Sequence, residues 1–336
     1  MRQSLIALAL QGGGSHGAYT WGVLDRLLEE PDIEIEALSG ASAGAMNAVV
    51  LAQGYTEGGR AGAREALEAF WTAVSERMAG TGIAASAPLW PDATRTYVSM
   101  TRYFSPYQLN PFNLNPLRDI LAEQVDFERL RKRGRIRLFV SATRVRDGAL
   151  RIFTNDDLTL DSLLASASIP SMHHSVDVDG EAYWDGGLTA NPPVSALVYG
   201  CKAREVVVVV LNGASDEVPA TAEAIRERLG TVSFSSALSN ELHSIALAKA
   251  EAGRARFCVG RVDRRLRTVK LHLVHADGLD PATRLKTDAS FVSALRDEGR
   301  ARASAWLAES GACALHRANA KRGESYASGQ GQRAAG

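Results

Sequence analysis

Two patterns of apolar residues alternate along this chain. Short runs that are apolar almost throughout predict buried strands, and longer segments with apolar residues every three or four positions predict helices that bury one face. The strands are predicted at residues 5–10, 33–38, 136–143, 150–154, 205–211 and 269–274. The helices are predicted at residues 18–30, 43–53, 58–78, 117–130, 160–168, 220–228, 232–252 and 290–309. Strand and helix alternate strictly at the start, which predicts an α/β fold with a parallel sheet and right-handed crossovers.

One long segment, residues 79–116, departs from both patterns. It is rich in Pro, Ser and Asn, and its aromatic residues are Trp90, Tyr97, Tyr103, Phe104, Tyr107 and Phe112. Irregular stretches of this length inside compact domains are often lids or binding loops. Two interpretations stay open: the aromatic residues face an apolar substrate or an interface, or they pack against the core.

The domain organisation follows from the same patterns. Residues 1–317 are predicted to form one α/β domain, with the motifs discussed below in residues 5–215 and further helices and strands in residues 216–317. Residues 318–336 contain mostly Lys, Arg, Gly, Ser, Gln and Ala. That composition predicts a disordered tail.

Composition narrows the class of protein. Of the 336 residues, 46% are hydrophobic and 23% are charged, and the formal net charge is zero, so no global positive charge indicates a nucleic-acid partner. Cys201, Cys258 and Cys313 lie far apart and predict neither a metal site nor a disulfide framework. No apolar run is long enough to span a bilayer. We therefore expect a cytoplasmic protein that is able to touch a membrane surface, and no feature indicates its oligomeric state.

Gly40, Ser42 and Gly44 form the pattern Gly-x-Ser-x-Gly between the second predicted strand and the second predicted helix. A serine on such a strand-to-helix turn presents its hydroxyl outward, and the small flanking residues let neighbouring backbone pass close by. The helix N-terminus also favours the negative charge that develops when a serine acts as nucleophile. The alternative is a tight connection between strand and helix without a chemical role.

A glycine-rich loop precedes this motif by one strand. The loop consists of Gly12, Gly13, Gly14, Ser15, His16 and Gly17. Consecutive glycines allow backbone N–H groups to converge on one anionic point, which makes either an oxyanion hole or a phosphate cradle. The spacing also satisfies the dinucleotide-binding pattern Gly-x-Gly-x-x-Gly, for which Asp32, Glu34 or Glu36 is a candidate acidic residue. Against that alternative, the next strand leads directly into Ser42, and adjacent parallel strands place both loops at one edge of the sheet.

A serine nucleophile needs a base, and the usual choice is a histidine oriented by an acid. His272 and His275 have the chain order of such a triad, but neither lies in a local signature. The nucleophile of a common α/β hydrolase follows several strands. Ser42 follows the second predicted strand, which argues against that fold and its triad.

Asp185 is the other candidate base, and Gly186 and Gly187 follow it after a strand-like stretch. One interpretation is a type I′ hairpin turn without chemistry. The other is a general base that acts directly on the serine. That role requires burial to raise the pKa of the aspartate toward neutrality.

In this order, the motifs resemble the patatin-like phospholipase family. The resemblance rests on Gly12-Gly13-Gly14-x-x-Gly17, Gly40-Ala41-Ser42-Ala43-Gly44, residues 165–170, Asp185-Gly186-Gly187 and Asn191-Pro192. It implies a three-layer fold, in which helices flank a central, mostly parallel sheet, and hydrolysis of a lipid or other acyl ester. It also implies that the reaction uses no metal and no organic cofactor. The implied roles are nucleophile for Ser42, base for Asp185, and oxyanion hole for the N–H groups of Gly12, Gly13 and Gly14.

Three other functions stay open beside this hydrolase, and one of them is a non-catalytic module of the same fold that binds a lipid or a partner. The same dyad would serve an acyltransferase that passes the acyl group to an alcohol or a thiol. A nucleotide-binding protein would instead use the loop at residues 12–17.

The sequence departs from the family pattern at His16, where the family commonly carries Arg or Lys. Histidine titrates near neutrality. We therefore expect the positive charge beside the oxyanion hole to depend on pH.

Overall fold

The computed structural model describes residues 4–79, 100–101, 103–211, 218–254 and 260–308. Its strands are β1 Ser4–Leu10, β2 Ile33–Gly40, β3 Arg137–Arg144, β4 Leu150–Thr154, β5 Val176–Val178, β6 Glu181–Asp185, β7 Glu205–Val210 and β8 Lys270–His275. Its helices are α1 Gly17–Leu28, α2 Ala43–Ala79, α3 Pro106–Leu109, α4 Pro116–Gln124, α5 Phe127–Arg133, α6 Leu160–Ala165, α7 Val194–Gly200, α8 Ala222–Arg254, α9 Arg261–Thr268 and α10 Ala289–Trp306. The predicted tail at residues 318–336, and residues 80–99 of the aromatic-rich segment, lie outside the described residues.

The strands form one eight-stranded sheet with a parallel centre. The central order is β3-β2-β1-β7-β8, and each of these neighbouring pairs is parallel. The remaining strands, β4, β5 and β6, pair antiparallel on the side of β3. The predicted α/β class is therefore confirmed, because the strand-helix alternation at the start of the chain produces parallel neighbours.

Helices cover both faces of the sheet and complete three layers. On one face, Ile6, Leu8 and Leu10 of β1 share a buried cluster with residues of α1, α2 and α10. On the other face, Ala7 and Ala9 pack with residues of α7, α8 and α9. Successive side chains of a strand point to opposite faces, so a continuously apolar strand serves both layers.

Two predicted helix boundaries are wrong. The helix predicted at residues 117–130 is divided into α4 and α5, because Val125 is extended and the Asp126 side chain caps α5 by accepting the N–H of Arg129 at 2.9 Å. The two helices predicted at residues 220–228 and 232–252 are instead the single helix α8. Packing overrides the weak helix propensity of Gly230 there, since α8 buries every seventh residue from Thr231 to Ala252.

Several short elements carry no clear periodicity and were not predicted, namely α3, α7, α9 and β5. The predicted break between the helices at residues 43–53 and 58–78 is confirmed as a kink at Gly58 and Gly59, whose backbone angles are not helical. Among the described residues, no helix is long and apolar enough to cross a membrane.

Candidate active site

Ser42 lies on the sharp turn between β2 and α2, as its motif predicts. Its backbone is in the left-handed region, with φ of 52°, a conformation that costs a non-glycine residue about 1–2 kcal/mol. The flanking glycines are needed for close packing. A Cβ at Gly44 would overlap the carbonyl oxygen of Leu10, and one at Gly40 would lie 2.5 Å from the carbonyl carbon of Gly44. The fold therefore holds a strained serine at the carboxyl edge of the sheet, which is typical of functional sites.

Asp185 lies near Ser42 because β6 and β2 pair with the same side of β3, one after the other along that strand. One edge of β3 is occupied by β4 along Phe139–Thr143. The other edge is shared in succession, by β2 along Arg137–Val140 and by β6 along Ala142–Arg144. The last residues of β2 and β6, Gly40 and Asp185, therefore lie opposite positions of β3 that are two residues apart, about 7 Å along the strand.

A turn after α6 holds the two motifs together. The carbonyl oxygen of Ser166 accepts hydrogen bonds from the N–H groups of Ser42 (3.1 Å) and Gly186 (3.2 Å). The N–H of Asp185 donates to the carbonyl oxygen of Ser168 at 2.9 Å. The sequence assigned these two serines no role of their own, because a bridging turn leaves no periodic signal.

The Asp185 carboxyl is fully buried. Its Oδ1 accepts the N–H of Gly187 at 2.7 Å, and its Oδ2 makes no hydrogen bond within the described residues. Burial raises the pKa of Asp185 to about 7, and the hydrogen bond from Gly187 and the nearby Ser42 hydroxyl partly offset that rise. The Ser42 hydroxyl therefore lies near the carboxyl, although no hydrogen bond of ordinary geometry joins them. Such contacts are often long until substrate binds.

The segment after Asp185 is not the type I′ hairpin turn that the sequence left open. Gly186–Leu188 form a short 3₁₀ helix instead. A Cβ at Gly186 would overlap the carbonyl oxygen of Ser141, and one at Gly187 would lie 2.6 Å from the ring of Phe234 in α8. Both glycines therefore permit close packing, and the Gly187 N–H donates to Oδ1 of Asp185.

The glycine loop lies directly beside Ser42. A Cβ at Gly12 would lie 2.8 Å from the Cβ of Ser42. The Gly12 N–H, however, donates to the buried Oδ1 of Asn191 at 2.7 Å, so it is not available as the predicted oxyanion donor. The N–H groups of Gly13 and Gly14 make no hydrogen bond within the described residues. Of the three predicted oxyanion donors, the N–H groups of Gly13 and Gly14 therefore remain as candidates.

Asn191 is a residue whose role the sequence did not reveal. Besides accepting the Gly12 N–H, it donates from Nδ2 to the carbonyl oxygen of Phe234 at 2.9 Å. It therefore links the glycine loop to the segment that follows Asp185 and to α8. The Asn-Pro pair after the paired glycines was the available signal, but the partner of an amide side chain cannot be read from spacing.

The same loop is a poor phosphate cradle. The N–H of Ser15 donates to the carbonyl oxygen of Arg284 at 2.9 Å, and the N–H of His16 donates to that of Gly13 at 3.3 Å. The Gly12 N–H donates to Asn191 and the Gly17 N–H to carbonyl oxygens of the loop itself, so four of the loop's donors have protein partners. The last loop glycine, Gly17, lies in the first turn of α1. A Cβ there would lie 2.8 Å from the Cβ of Ala43, the residue after the serine.

The expectation that His16 carries a pH-dependent charge near neutrality is wrong. Its ring is buried, with 1% of the residue exposed, and Nε2 shares a 2.8 Å hydrogen bond with Oγ1 of Thr283. Burial and the nearby charge of Arg284 lower the pKa of His16 to about 4. The imidazole is therefore neutral throughout the physiological range.

The two histidines considered for a triad lie elsewhere. Both belong to β8, which is three strand spacings, or about 14 Å, from β2. His272 Nε2 lies 2.6 Å from Oε2 of the buried Glu205, and the backbone carbonyl of His275 accepts the Tyr19 hydroxyl at 2.9 Å. Neither histidine is placed to act on Ser42.

A cavity of about 180 Å³ opens beside Ser42. Its apolar lining includes Met46, Phe70, Trp71, Val74, Leu117, Ile120, Leu164, Ile169 and Met172. Cavities of this kind, mostly apolar with a few polar groups, bind organic ligands. The geometry suits an acyl chain whose ester lies at the serine.

The aromatic-rich segment borders this cavity, since Asn110 and Leu114 are part of its lining. The four described aromatic residues of the segment are exposed rather than packed on the core: Tyr103, Phe104, Tyr107 and Phe112. The core-packing interpretation is therefore wrong for these four. Trp90 and Tyr97 lie outside the described residues.

No group of three or more His, Cys, Asp or Glu side chains within the described ranges is arranged to hold a metal ion. Cys201, the one cysteine in those ranges, is buried and its thiol is free. The expectation that the chain uses neither a metal nor an organic cofactor stays a prediction.

A family model described as patatin-like phospholipase matches residues 8–198. A search of curated proteins finds no significant match.

Solved structures give distant matches. One is VipD from Legionella pneumophila, with 17% identity, a TM-score of 0.38, and coverage of 89% of this chain and 67% of that chain. Another is the heterodimeric ExoU-SpcU complex from the type III secretion system of Pseudomonas aeruginosa, with 15% identity, a TM-score of 0.39, and coverage of 92% of this chain and 52% of that chain. This chain thus spans about two thirds of the first and about half of the second.

Proposed function

Because this chain belongs to the patatin-like phospholipase family, whose model covers more than half of it, we propose that it is a serine lipid acyl hydrolase that uses a Ser42–Asp185 dyad. The observation that carries this proposal is the fully buried Asp185 carboxyl, whose pKa is raised to about 7 beside the hydroxyl of a strained serine. A base poised near the working pH is what general-base catalysis requires.

The proposed reaction has two half-steps. Asp185 Oδ2 takes the hydroxyl proton as Ser42 Oγ attacks the ester carbonyl carbon, and the N–H groups of Gly13 and Gly14 stabilise the oxyanion. The alcohol leaves with the proton from Asp185, and the acyl group stays on Ser42. Water then attacks this acyl-enzyme and gives a proton to Asp185, which returns it to Ser42 as the fatty acid leaves.

Two alternatives remain beside hydrolysis. The same acyl-enzyme would make the chain an acyltransferase if an alcohol or a thiol attacked instead of water. Acyl release measured with and without glycerol as acceptor separates the two outcomes. Nucleotide binding at residues 12–17 is disfavoured, because four N–H groups of that loop already donate within the protein.

A fluorophosphonate probe tests the dyad, since it forms a covalent bond only with an activated serine. We expect one label per chain, located on Ser42 by peptide mass spectrometry, and a labelling rate that rises with pH through about 7 as Asp185 loses its proton. Hydrolysis of a p-nitrophenyl acyl ester should fall in proportion to the label. Unfolded protein is the control. A label on a different serine, or an unlabelled folded protein, would contradict the proposal.

The exposed aromatic residues beside the cavity support a second part of the proposal, which is peripheral contact with a membrane. Tyr103 and Phe112 are each 84% exposed, and Leu114 is 73% exposed while it also lines the cavity that contains Ser42. An exposed apolar patch of this kind typically marks a binding surface. Its continuity with the cavity makes a lipid surface the fitting partner, because an acyl chain can pass from one to the other. The predicted cytoplasmic location is part of the same proposal.

Replacing both Tyr103 and Phe112 with serine should weaken binding to phosphatidylcholine vesicles by about 100-fold or more, because each ring buries apolar area worth about 1.5–3 kcal/mol when it inserts. Vesicle sedimentation measures this binding. The matched control is Leu229→Ser on α8, which is 60% exposed and is not part of the cavity lining. Equal vesicle binding by the double variant and the control would exclude this surface.

A further inference from the structure

The segment between β8 and α10, residues 280–287, lies against the glycine loop. The carbonyl oxygen of Arg284 accepts the Ser15 N–H at 2.9 Å and the Ser15 hydroxyl at 2.7 Å. The same hydroxyl lies 3.2 Å from the carbonyl oxygen of Thr283. A Cβ at Gly14 would overlap the carbonyl oxygen of Arg284. The backbone of the β8–α10 segment therefore touches the loop that carries the proposed oxyanion donors.

A second contact joins His16 to this segment, and it determines which ring nitrogen carries the proton. Oγ1 of Thr283 donates its single proton to the carbonyl oxygen of Asp280 at 2.7 Å. That hydroxyl is therefore the acceptor in its 2.8 Å contact with Nε2 of His16. The imidazole is neutral at physiological pH, so its one N–H is at Nε2, and the buried Nδ1 has no hydrogen-bond partner within the described ranges. His16 thus contributes a hydrogen bond rather than a positive charge.

The glycine loop is held on both sides of the proposed oxyanion donors. On one side, the Gly12 N–H donates to Asn191 at 2.7 Å. On the other side, the Ser15 hydroxyl contacts two carbonyl oxygens of the β8–α10 segment. Gly13 and Gly14, whose N–H groups are the proposed donors, lie between these two points. Glycine has more conformational freedom than any other residue, so a run of three glycines depends on its ends being held.

The β8–α10 segment is itself ordered by local hydrogen bonds. The Asp280 side chain accepts the Ala282 N–H at 2.9 Å, and the Thr283 N–H donates to the carbonyl oxygen of Asp280 at 2.9 Å. The loop residues that contact the segment are buried, since Ser15 is 5% exposed and His16 is 1% exposed. Oxyanion donors are most effective when they are fixed in advance, because they then need no reorganisation as negative charge develops.

We propose that Ser15 and Thr283 are positioning residues of the oxyanion hole, and that the β8–α10 segment is the support that keeps the N–H groups of Gly13 and Gly14 in place. This inference rests on the hydrolase function proposed above. The segment lies outside the matched residues 8–198, so the family match assigns it no role. Both positioning residues act through the loop and take no part in the proton transfers.

Ser15→Ala tests this role, because it removes both hydroxyl contacts and keeps the backbone hydrogen bond to Arg284. We expect kcat for a p-nitrophenyl acyl ester to fall about 5–20-fold and KM to change less than about twofold. The fall in kcat should be smaller than the roughly 10²–10³-fold effect of removing a whole oxyanion donor. Expressing kcat per chain that takes the fluorophosphonate label corrects for any unfolded fraction of the variant.

A transition-state analogue supplies a readout that a merely structural role would not change. Hexyl trifluoromethyl ketone forms an adduct with Ser42 whose oxygen is negatively charged, and the secondary alcohol with the same chain forms no adduct. In Ser15→Ala, the inhibition constant of the ketone should rise by about the same factor as kcat falls, and that of the alcohol should stay the same. Equal changes for the two inhibitors would overturn the positioning role.

Thr283 offers a matched pair of variants for the second contact. Thr283→Val keeps the shape of the side chain but removes the hydroxyl that accepts the His16 N–H, whereas Thr283→Ser keeps that hydroxyl. We expect Thr283→Val to lower kcat about 3–10-fold, as the loss of one hydrogen bond predicts, and Thr283→Ser to restore the natural rate. The same kcat in both variants would exclude Thr283 as a positioning residue.

The control for lost hydroxyl groups is Ser244→Ala on α8, where the hydroxyl donates to the carbonyl oxygen of Asn240 at 2.8 Å on an exposed surface. Its kcat and both inhibition constants should equal those of the natural chain.

The experiment separates failure of this inference from failure of the hydrolase proposal. If the natural chain neither hydrolyses the ester nor takes the label, the proposed function fails and this inference fails with it. If the natural chain is active and Ser15→Ala keeps its kcat, only the present inference fails. A raised KM with an unchanged kcat would also overturn it, since the hydroxyl would then contact the bound substrate directly.

Discussion

Replacing Asp185 with asparagine should reduce kcat/KM for a p-nitrophenyl acyl ester by about 10²–10⁴-fold, because the amide cannot accept the proton of Ser42. The shape of the side chain is kept, and the amide oxygen can still accept the N–H of Gly187 that now bonds to Oδ1 at 2.7 Å. In the natural chain, kcat/KM should rise with pH through about 7, where the buried carboxyl loses its proton. An asparagine variant with full activity would exclude Asp185 as the base.

The same substitution should stabilise the fold at high pH, and the sign follows from the raised pKa. The pKa of Asp185 is about 7 in the folded chain and 3.8 in the reference state. Between these values the folded chain binds more protons than the unfolded chain, so stability falls as pH rises through this window. Asparagine does not titrate. The free energy of unfolding of the variant, relative to the natural chain, should therefore increase by about 2–3 kcal/mol between pH 5 and pH 8.

Urea denaturation at the two pH values measures this difference. The matched control is Asp147→Asn, because Asp147 is an exposed aspartate whose pKa is lowered to about 2 by Arg144. The pH dependence of the free energy of unfolding that Asp147→Asn removes should have the opposite sign. Little of it should appear between pH 5 and pH 8, because this range lies above the pKa of Asp147 in both the folded and the unfolded chain. A pH-independent effect of Asp185→Asn would mean that the carboxyl is not held near neutrality.

Replacing Ser42 with alanine should abolish ester hydrolysis and fluorophosphonate labelling, since no other group is proposed to attack the ester. The rate of hydrolysis that remains should be close to that of the ester in buffer without protein. Any small excess over that rate would come from substrate binding and the oxyanion donors. The fold should survive, because Ser42 is held mainly through its backbone N–H, which donates to Ser166. Hydrolysis at the natural rate by Ser42→Ala would contradict the proposed nucleophile.

Glycine at the same position is an informative comparison. The φ of 52° is strained for serine and alanine but not for glycine. Ser42→Gly should therefore be as inactive as Ser42→Ala and at least as stable, although glycine also adds entropy to the unfolded chain. Thermal unfolding compares the two variants. If Ser42→Gly were clearly less stable than Ser42→Ala, the backbone strain inferred at this turn would be wrong.

The sequence by itself determined the parts of the site that depend on local order. The apolar runs predicted that β1 and β2 are neighbouring parallel strands. Parallel neighbours end at the same edge of the sheet, so the glycine loop and Ser42 were predicted to lie together there. The spacing of Gly40 and Gly44 indicated the sharp turn at Ser42. These features were predictable because hydrophobic period and close glycine packing act over a few residues.

Only the tertiary structure decided which groups meet and in what state of charge. β6 lies in line with β2 because both pair with the same edge of β3. The turn at Ser166 and Ser168 then accepts the backbone N–H groups of Ser42, Asp185 and Gly186. Asn191 takes the Gly12 N–H, and the burial of His16 keeps its imidazole neutral.

Arg284 is the clearest example of a contact that the sequence does not reveal, since it lies 242 positions after Ser42 and still lines the same cavity. Hydrogen-bond partners and desolvation depend on how distant segments pack. No pattern of neighbouring residues records that packing, and the pKa values that decide the chemistry follow from it.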